Sequence, residues 1–312
     1  KKVADQLAEL FKNDRENFVS KWDDIKMFIQ FGMLTDEKFY EKAKDFALLK
    51  NLNGDYFTLE EYKDKVRENQ VDKDGNMVIL YTQDADANYT YIERAKAKGY
   101  DVLLMNGELD VHTMSQAEQK NEKLRFVRVD SDTVENLIKK EETAKDNYSD
   151  EQKEGLRKAF EGMLPSSEDK LRYFVTCEPA ASDALPVFLT QNEFMRRMKE
   201  MAAHQQGMSF YGQMPDQYNL VINTAHPLIQ ELVSKMTSEE VQEEVEKKAE
   251  KEGDAPTKET VIKTVYKLAD QDDKLHQLID IALLASGQLK GEALAKFVNR
   301  SVELLTQPYI PA

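Results

Sequence analysis

The sequence predicts an α+β protein in three parts: a three-helix connector, a small αβα subdomain with a short parallel sheet, and a mixed α/β domain that ends in a helix pair. Three observations carry this expectation. Apolar residues recur at helical spacing through residues 1–55. Between residues 56 and 140, short apolar runs alternate with helical stretches. From 141 to 312, strand-like runs give way to two apolar-striped segments at the end.

In the first part, Val3, Leu7, Leu10 and Phe11 share one helical face. Phe18, Trp22, Ile25 and Ile29 form a second set, and Phe39, Ala43, Phe46 and Leu49 a third. Polar breaks at Lys12-Asn13-Asp14 and from Gly32 to Glu37 separate them, and Asn53-Gly54-Asp55 reads as a closing turn. In the second part, Thr58 with Glu61 makes a capping box that starts a helix. Met77 to Tyr81, Tyr100 to Met105 and Leu124 to Val129 read as strands, with helices from Tyr91 to Lys98 and from about Val111 to Lys120. That alternation implies a parallel sheet with helices on its faces.

Residues 131–164 read as charged helix, with a second capping box at Ser149 and Gln152. Leu171 to Thr176, Pro186 to Thr190 and Tyr218 to Asn223 are strand candidates around an amphipathic helix from Asn192 to Gln205. Gly207 to Gln217, with two Gly and a Pro, reads as a mobile loop. Residues 237–259 hold nine acidic and four basic side chains and read as a solvated helix or a flexible insertion. Two helices close the chain, roughly Ile262 to Ser286 and Glu292 to Leu305. No internal repeat is visible.

Composition limits what the chain does. Of 312 residues, 43 are Lys or Arg and 58 Asp or Glu, a net charge of −15, which argues against general nucleic-acid binding. One cysteine rules out an internal disulfide and favours a reducing compartment such as the cytoplasm. No apolar run approaches membrane-spanning length, so no membrane partner is expected. The opening residues lack the apolar core of a secretory signal and read as a helix already under way, as after a cut inside a longer protein.

No catalytic constellation stands out. There is no phosphate-cradling glycine loop, no nucleophile elbow and no paired-His metal motif. His112, His204, His226 and His276 are scattered, and Cys177 sits at strand spacing as a small apolar residue. More informative is the helix with Met195, Met198, Met201 and Ala202 on one stripe, Phe194 at its edge, and Arg196, Arg197, Lys199 and Glu200 around the rest. A methionine stripe is more often core filler than a contact surface. The neighbouring Met208, Phe210, Tyr211 and Met214 weigh the other way, because apolar loop residues are costly to expose unless something binds them. At the end of the chain, Leu278, Ile279 and Ala282 lie on one helical face, and Leu294, Phe297, Val298, Ser301 and Leu304 recur at a-and-d-like spacing. Such a hairpin caps its own domain or pairs with a copy of itself in a four-helix bundle, and the pattern leaves both open.

At these residues the chain resembles a known family. Phe194 to Met198, followed by Leu220-Val221-Ile222-Asn223-Thr224-Ala225-His226-Pro227, is similar to the C-terminal domain of the ninety-kilodalton heat-shock chaperones, in their bacterial branch. Ala282 to Gly287 resembles a run in that family's dimerisation helices. Gly99 to Met105, with Leu109-Asp110 after it, resembles a middle-domain strand, as Trp22 to Phe31 resembles a middle-domain helix.

The resemblance implies parts of a middle domain at 1–55 and 56–140, and a client-binding and dimerisation domain at 141–312. It implies a chaperone fragment that holds non-native client protein and forms a homodimer. The client surface would comprise Phe194, Met195, Met198, Met201 and Met208, with His112 where bacterial members carry an aromatic anchor. The dimer seam would comprise Leu278, Ile279, Ala282, Leu294, Phe297, Val298, Ser301 and Leu304. ATP and magnesium would belong to an N-terminal domain outside this chain, leaving it without a cofactor and without ATPase activity. The closing Tyr309-Ile310-Pro311-Ala312 lacks the acidic tail that helper proteins read in eukaryotic members. The rival reading is a purely structural dimerisation module with the methionine helix buried.

Overall fold

The structure is a computed structural model and describes residues 2–140, 146–165, 170–181, 184–203, 209–247 and 257–306. His204, Met208 and the tail from Tyr309 lie outside the described residues. The chain falls into two compact units. One comprises Lys1–Thr143, Asp169–Arg172 and Thr190–Tyr218, and the other Ala144–Glu168, Tyr173–Leu189 and Asn219–Ala312.

The first unit opens with three helices: α1 (Lys2–Asn13), α2 (Arg15–Thr35) and α3 (Glu37–Ala43). Asp14 and Asp36 cap the second and third, each accepting bonds from backbone N–H groups of the first turn. The break expected from Gly32 to Glu37 narrows to Asp36, because α2 runs on to Thr35. Phe18, Trp22, Ile29, Ala43, Phe46 and Leu48 close a core between these helices. The Phe18 ring stacks edge-on against Phe46 at 5.9 Å. The expected turn at Asn53 to Asp55 joins a small hairpin, β1 (Leu48–Lys50) and β2 (Tyr56–Thr58), with Gly54 at φ +86°.

Thr58 and Glu61 form the predicted capping box on α4 (Leu59–Val66). Then β3 (Met77–Thr82), α5 (Tyr89–Ala97), β4 (Val102–Leu104), α6 (Asp110–Lys120) and β5 (Leu124–Arg128) build a parallel sheet in the order β4-β3-β5. Both faces of β3 are covered, so every residue in it is buried. Ile79 and Tyr81 meet Tyr62, Val66, Val111 and Met114 on one side, and Val78 and Leu80 meet Ile92 and Ala95 on the other. The short helix α7 (Val134–Leu137) follows. The buried Asp110 carboxylate ties α6 to the helical trio, accepting bonds from Gln30 at 2.7 Å and Lys26 at 2.8 Å.

Beyond the sheet come α8 (Asp150–Glu161), β6 (Leu171–Glu178), β7 (Val187–Thr190), α9 (Glu193–Ala202), α10 (Ser209–Gln213) and β8 (Asp216–Asn223), with strand order β6-β8-β7. The capping box on α8 is present. The helix read across 131–164 is confined, among the described residues, to α7 and α8. The stretch read as a mobile loop contains α10. Then α11 (Pro227–Ser234) starts on His226, whose Nδ1 accepts the Leu228 N–H at 3.1 Å, with Pro227 in the first turn. Asn223, fully buried, accepts from the Ala180 N–H at 2.9 Å and donates to the Ala181 carbonyl at 2.9 Å. The Asn-x-x-His motif is therefore a structural staple and a helix cap.

The charged stretch is neither helix nor loose insertion in its described part. It forms β9 (Thr237–Lys247), paired antiparallel with β10 (Thr257–Lys267) over eleven residues. Consequently the helix expected from Ile262 starts only at α12 (Asp272–Ala285), after β10 has ended at Lys267 and Asp270 has taken a left-handed φ of 56°. The second unit closes with α13 (Gly291–Thr306). Gly155 of α8 lies against β10, where a Cβ would come within 2.3 Å of the Tyr266 carbonyl oxygen.

Candidate functional site

The amphipathic helix α9 is turned the opposite way from an ordinary surface helix. Asn192 caps it, accepting the Met195 N–H at 3.1 Å. Its charged face is the buried one: Arg196 is 6% exposed and Arg197 8%, whereas Phe194 is 63% exposed. The arginines enter a polar cluster beside β3 and β5. Arg197 donates to Glu193 at 2.6 Å and to Glu118 of α6 at 2.7 Å, and also reaches the Phe126 carbonyl. Arg196 donates to Glu193 at 2.9 Å and to the Tyr81 hydroxyl.

Glu193 is the hub of the cluster. Besides both arginines, it accepts the Tyr81 hydroxyl at 2.7 Å, the Arg128 N–H at 3.0 Å and the Ser131 hydroxyl at 2.8 Å. Burial alone would raise its carboxyl, but the charges of Arg196 and Arg197 and these donors hold it down at about 2. Arg128 extends the network through a bidentate pair with Asp130 and a bond to Gln191 at 2.9 Å. A buried charge is tolerated only when paired and hydrogen-bonded, and here the pairing fixes which face of α9 looks outward.

Beside the arginines on α9 stand the residues singled out in the sequence. Met195, Met198 and Met201 are half-buried and Phe194 is exposed. Met201 packs beside the α4–α6 core, and Ser115 of α6 donates to its sulfur at 3.8 Å. His112, half-buried, lies one turn before Ser115 on the same helix, so the fold brings the two predicted contact regions onto the neighbouring helices α6 and α9. Phe210 of α10 is 71% exposed and stacks on Tyr211, while Met195, Tyr211 and Met214 line one narrow cleft.

At the end of the second unit, Leu278, Ile279 and Ala282 are buried within their own chain. By contrast α13 has no buried residue: Leu294, Phe297 and Ser301 are half-buried, and Val298, Val302, Leu304 and Leu305 are exposed, Leu305 at 85%. Ser301 is engaged inside the hairpin, accepting from Gln277 at 2.8 Å, and Arg300 pairs with Asp280. Leu284, exposed on α12, adds to the open apolar surface.

Sequence reasoning missed the buried arginine pair, whose partners are remote in the chain. It also left unremarked Met27, Phe28 and Phe31 on α2, which are exposed and lie off the Phe18, Trp22, Ile25 and Ile29 stripe of that helix. Cys177 has no catalytic setting: burial pushes its thiol up to about 12, and it donates to the Lys153 carbonyl at 3.7 Å. Among the described residues no group of His, Cys, Asp and Glu is arranged to hold a metal ion, and no helix is long and apolar enough to cross a membrane.

Residues 1–294 match the family model for the Hsp90 protein. The chaperone protein HtpG of Bacteroides fragilis is 45% identical over an alignment of 339 residues that covers 98% of this chain and 50% of that protein. That of Porphyromonas gingivalis is 44% identical, covering 98% of this chain and 49% of its own length. The chain thus spans about half the length of these relatives. A solved middle domain of a Plasmodium falciparum heat shock protein gives a TM-score of 0.33 at 15% identity, over 42% of this chain and 55% of that one.

Proposed function

The chain belongs to the Hsp90 protein family, and we propose that it is the client-holding, self-associating part of a chaperone of that family. The observation that carries the reading is the orientation of α9. An ionic cluster holds its arginines inward and leaves Phe194 exposed, with Met195 and Met198 half-buried beside it. Methionine side chains are flexible and polarisable, so such a face accommodates many apolar segments. Non-native protein is the partner with that chemistry, and Met195, Met198, Met201 and Phe194, with His112 nearby on α6, are the contact residues.

A second copy of the chain is the other partner. Leu284, Val298, Val302, Leu304 and Leu305 offer the open apolar surface for it, with half-buried Leu294, Phe297 and Ser301 on α13 and buried Leu278, Ile279 and Ala282 on α12. Two α9 faces carried by one dimer would reinforce each other through effective concentration. In this reading ATP and magnesium act in the part of the relatives that this chain does not span, and the chain works in the cytoplasm without a cofactor of its own. The rival, a structural module with the methionine helix buried, is disfavoured by the exposure of Phe194.

The test is the triple change Met195→Ser, Met198→Ser and Met201→Ser. It should weaken suppression of aggregation of an unfolded model protein while secondary structure and dimerisation persist. Loss of the fold would make the stripe core, and unchanged suppression would move the client surface elsewhere.

A further inference from the structure

The β9–β10 ribbon is open on one side. Beyond β10 it pairs with nothing further among the described residues, although two-stranded ribbons are marginal in water and open edges recruit strands. The end of β10 lies beside α8, through Tyr266 against Gly155, so over that stretch the open edge is that of β9.

The two strands divide their charge. β9 carries Glu239, Glu240, Glu243 and Glu244, and β10 carries Lys263 and Lys267 between Val, Ile and Thr. On one face the acids are matched: Lys267 pairs with Glu239, and Lys263 lies 3.8 Å from Glu243. On the other face Glu240 stands opposite Thr264 and has no ion pair among the described residues, and Ile262, opposite Gln242, is 63% exposed.

From this we propose that the free edge of β9 is a docking site for an extended segment of a partner protein in which Lys or Arg alternates with β-branched residues, added as a third strand. β10 is the internal precedent, since it is a strand of that chemistry already bound to the other edge of β9. A second copy is a poorer occupant. Antiparallel pairing of β9 with another β9 sets Glu rows against each other, and the β10 of a copy is committed to its own hairpin. The proposal does not rest on the client reading of α9.

The probe is a labelled peptide with the sequence of residues 260–267, Thr-Val-Ile-Lys-Thr-Val-Tyr-Lys. Fluorescence anisotropy against the full chain should show saturable binding that weakens about tenfold or more as salt screens the exposed charges. Glu240→Lys should abolish it and Glu240→Gln should weaken it. Hydrogen exchange should show new protection in 237–244 with β10 still protected. Glu240 is exposed, and circular dichroism verifies that its variants stay folded. Absence of binding, equal binding of a peptide with both Lys replaced by Glu, or indifference to Glu240→Lys would overturn the proposal. So would loss of β10 protection, which means strand exchange, or peptide-independent oligomers that Glu240→Lys disperses, which means a second copy sits there.

Discussion

Glu193 and Tyr81 stand 112 residues apart in sequence, yet the Tyr81 hydroxyl donates to the Glu193 carboxylate at 2.7 Å. Through that contact the first turn of α9 is fastened to the end of β3, with Arg196 and Arg197 folded in around it. The polar cluster, not apolar burial, decides how α9 sits.

Removing the hub should therefore cost more than removing one spoke. Glu193→Gln leaves two buried guanidinium groups short of their counter-charge, an effect of about 3–5 kcal/mol. Tyr81→Phe removes one hydroxyl and should cost about 1–2 kcal/mol. Urea unfolding of the two variants measures both, and hydrogen exchange in α9 should rise first in Glu193→Gln. Equal, small effects would mean that α9 is held by its apolar contacts.

The same carboxyl sets an acid limit. Its folded value is about 2, below the ordinary 4.5, so the fold gains stability from the ionised form above pH 4.5 and loses it as pH falls from 4.5 towards 2. The contribution is on the order of 3 kcal/mol. Stability measured across that window should fall less steeply in Glu193→Gln than in the parent chain.

Gly155→Ala tests the packing of the ribbon on α8. A Cβ there meets the Tyr266 carbonyl oxygen at 2.3 Å, and backbone cannot swing aside as a side-chain tip can. The variant should lose about 1–3 kcal/mol despite the better helix propensity of Ala. A denaturation midpoint equal to or above the parent's would contradict this close approach.

Self-association should depend on α13. Val298 and Leu305 are exposed in the single chain, so Val298→Glu with Leu305→Glu leaves the protomer's fold intact and charges the seam. Sedimentation should show the parent as a dimer and the variant as a monomer at micromolar concentration. A dimeric variant would put the interface on another face.

Much of the fold was legible because its signals are local. The capping boxes at Thr58–Glu61 and Ser149–Gln152 lie within one turn, and β3 announces itself as the five-residue apolar run Met77 to Tyr81, suited to a strand covered on both sides. The orientation of α9 was not legible. Arg196 and Arg197 look solvent-facing until Glu118, Phe126 and Tyr81 arrive from 71 to 115 residues away. The β9–β10 ribbon was hidden differently. Dense Glu and Lys masked its period of two, although Thr260-Val261-Ile262 and Thr264-Val265 are β-branched and favour a strand over the helix start read at Ile262. Exposed Phe28 and Phe31 fall off the stripe of Phe18, Trp22, Ile25 and Ile29, so the helical period carried a signal that the reading of α2 did not use.

The central claim is that the outward face of α9 holds non-native protein. A photo-crosslinking amino acid placed at Phe194, the most open position of that face, tests it most directly when the chain is irradiated with an unfolded model protein. Strong crosslinks are expected from position 194, competed away by a second unfolded protein and absent with the same protein in its native state. Crosslinks no stronger than those from Lys38, an exposed position on α3, would contradict it.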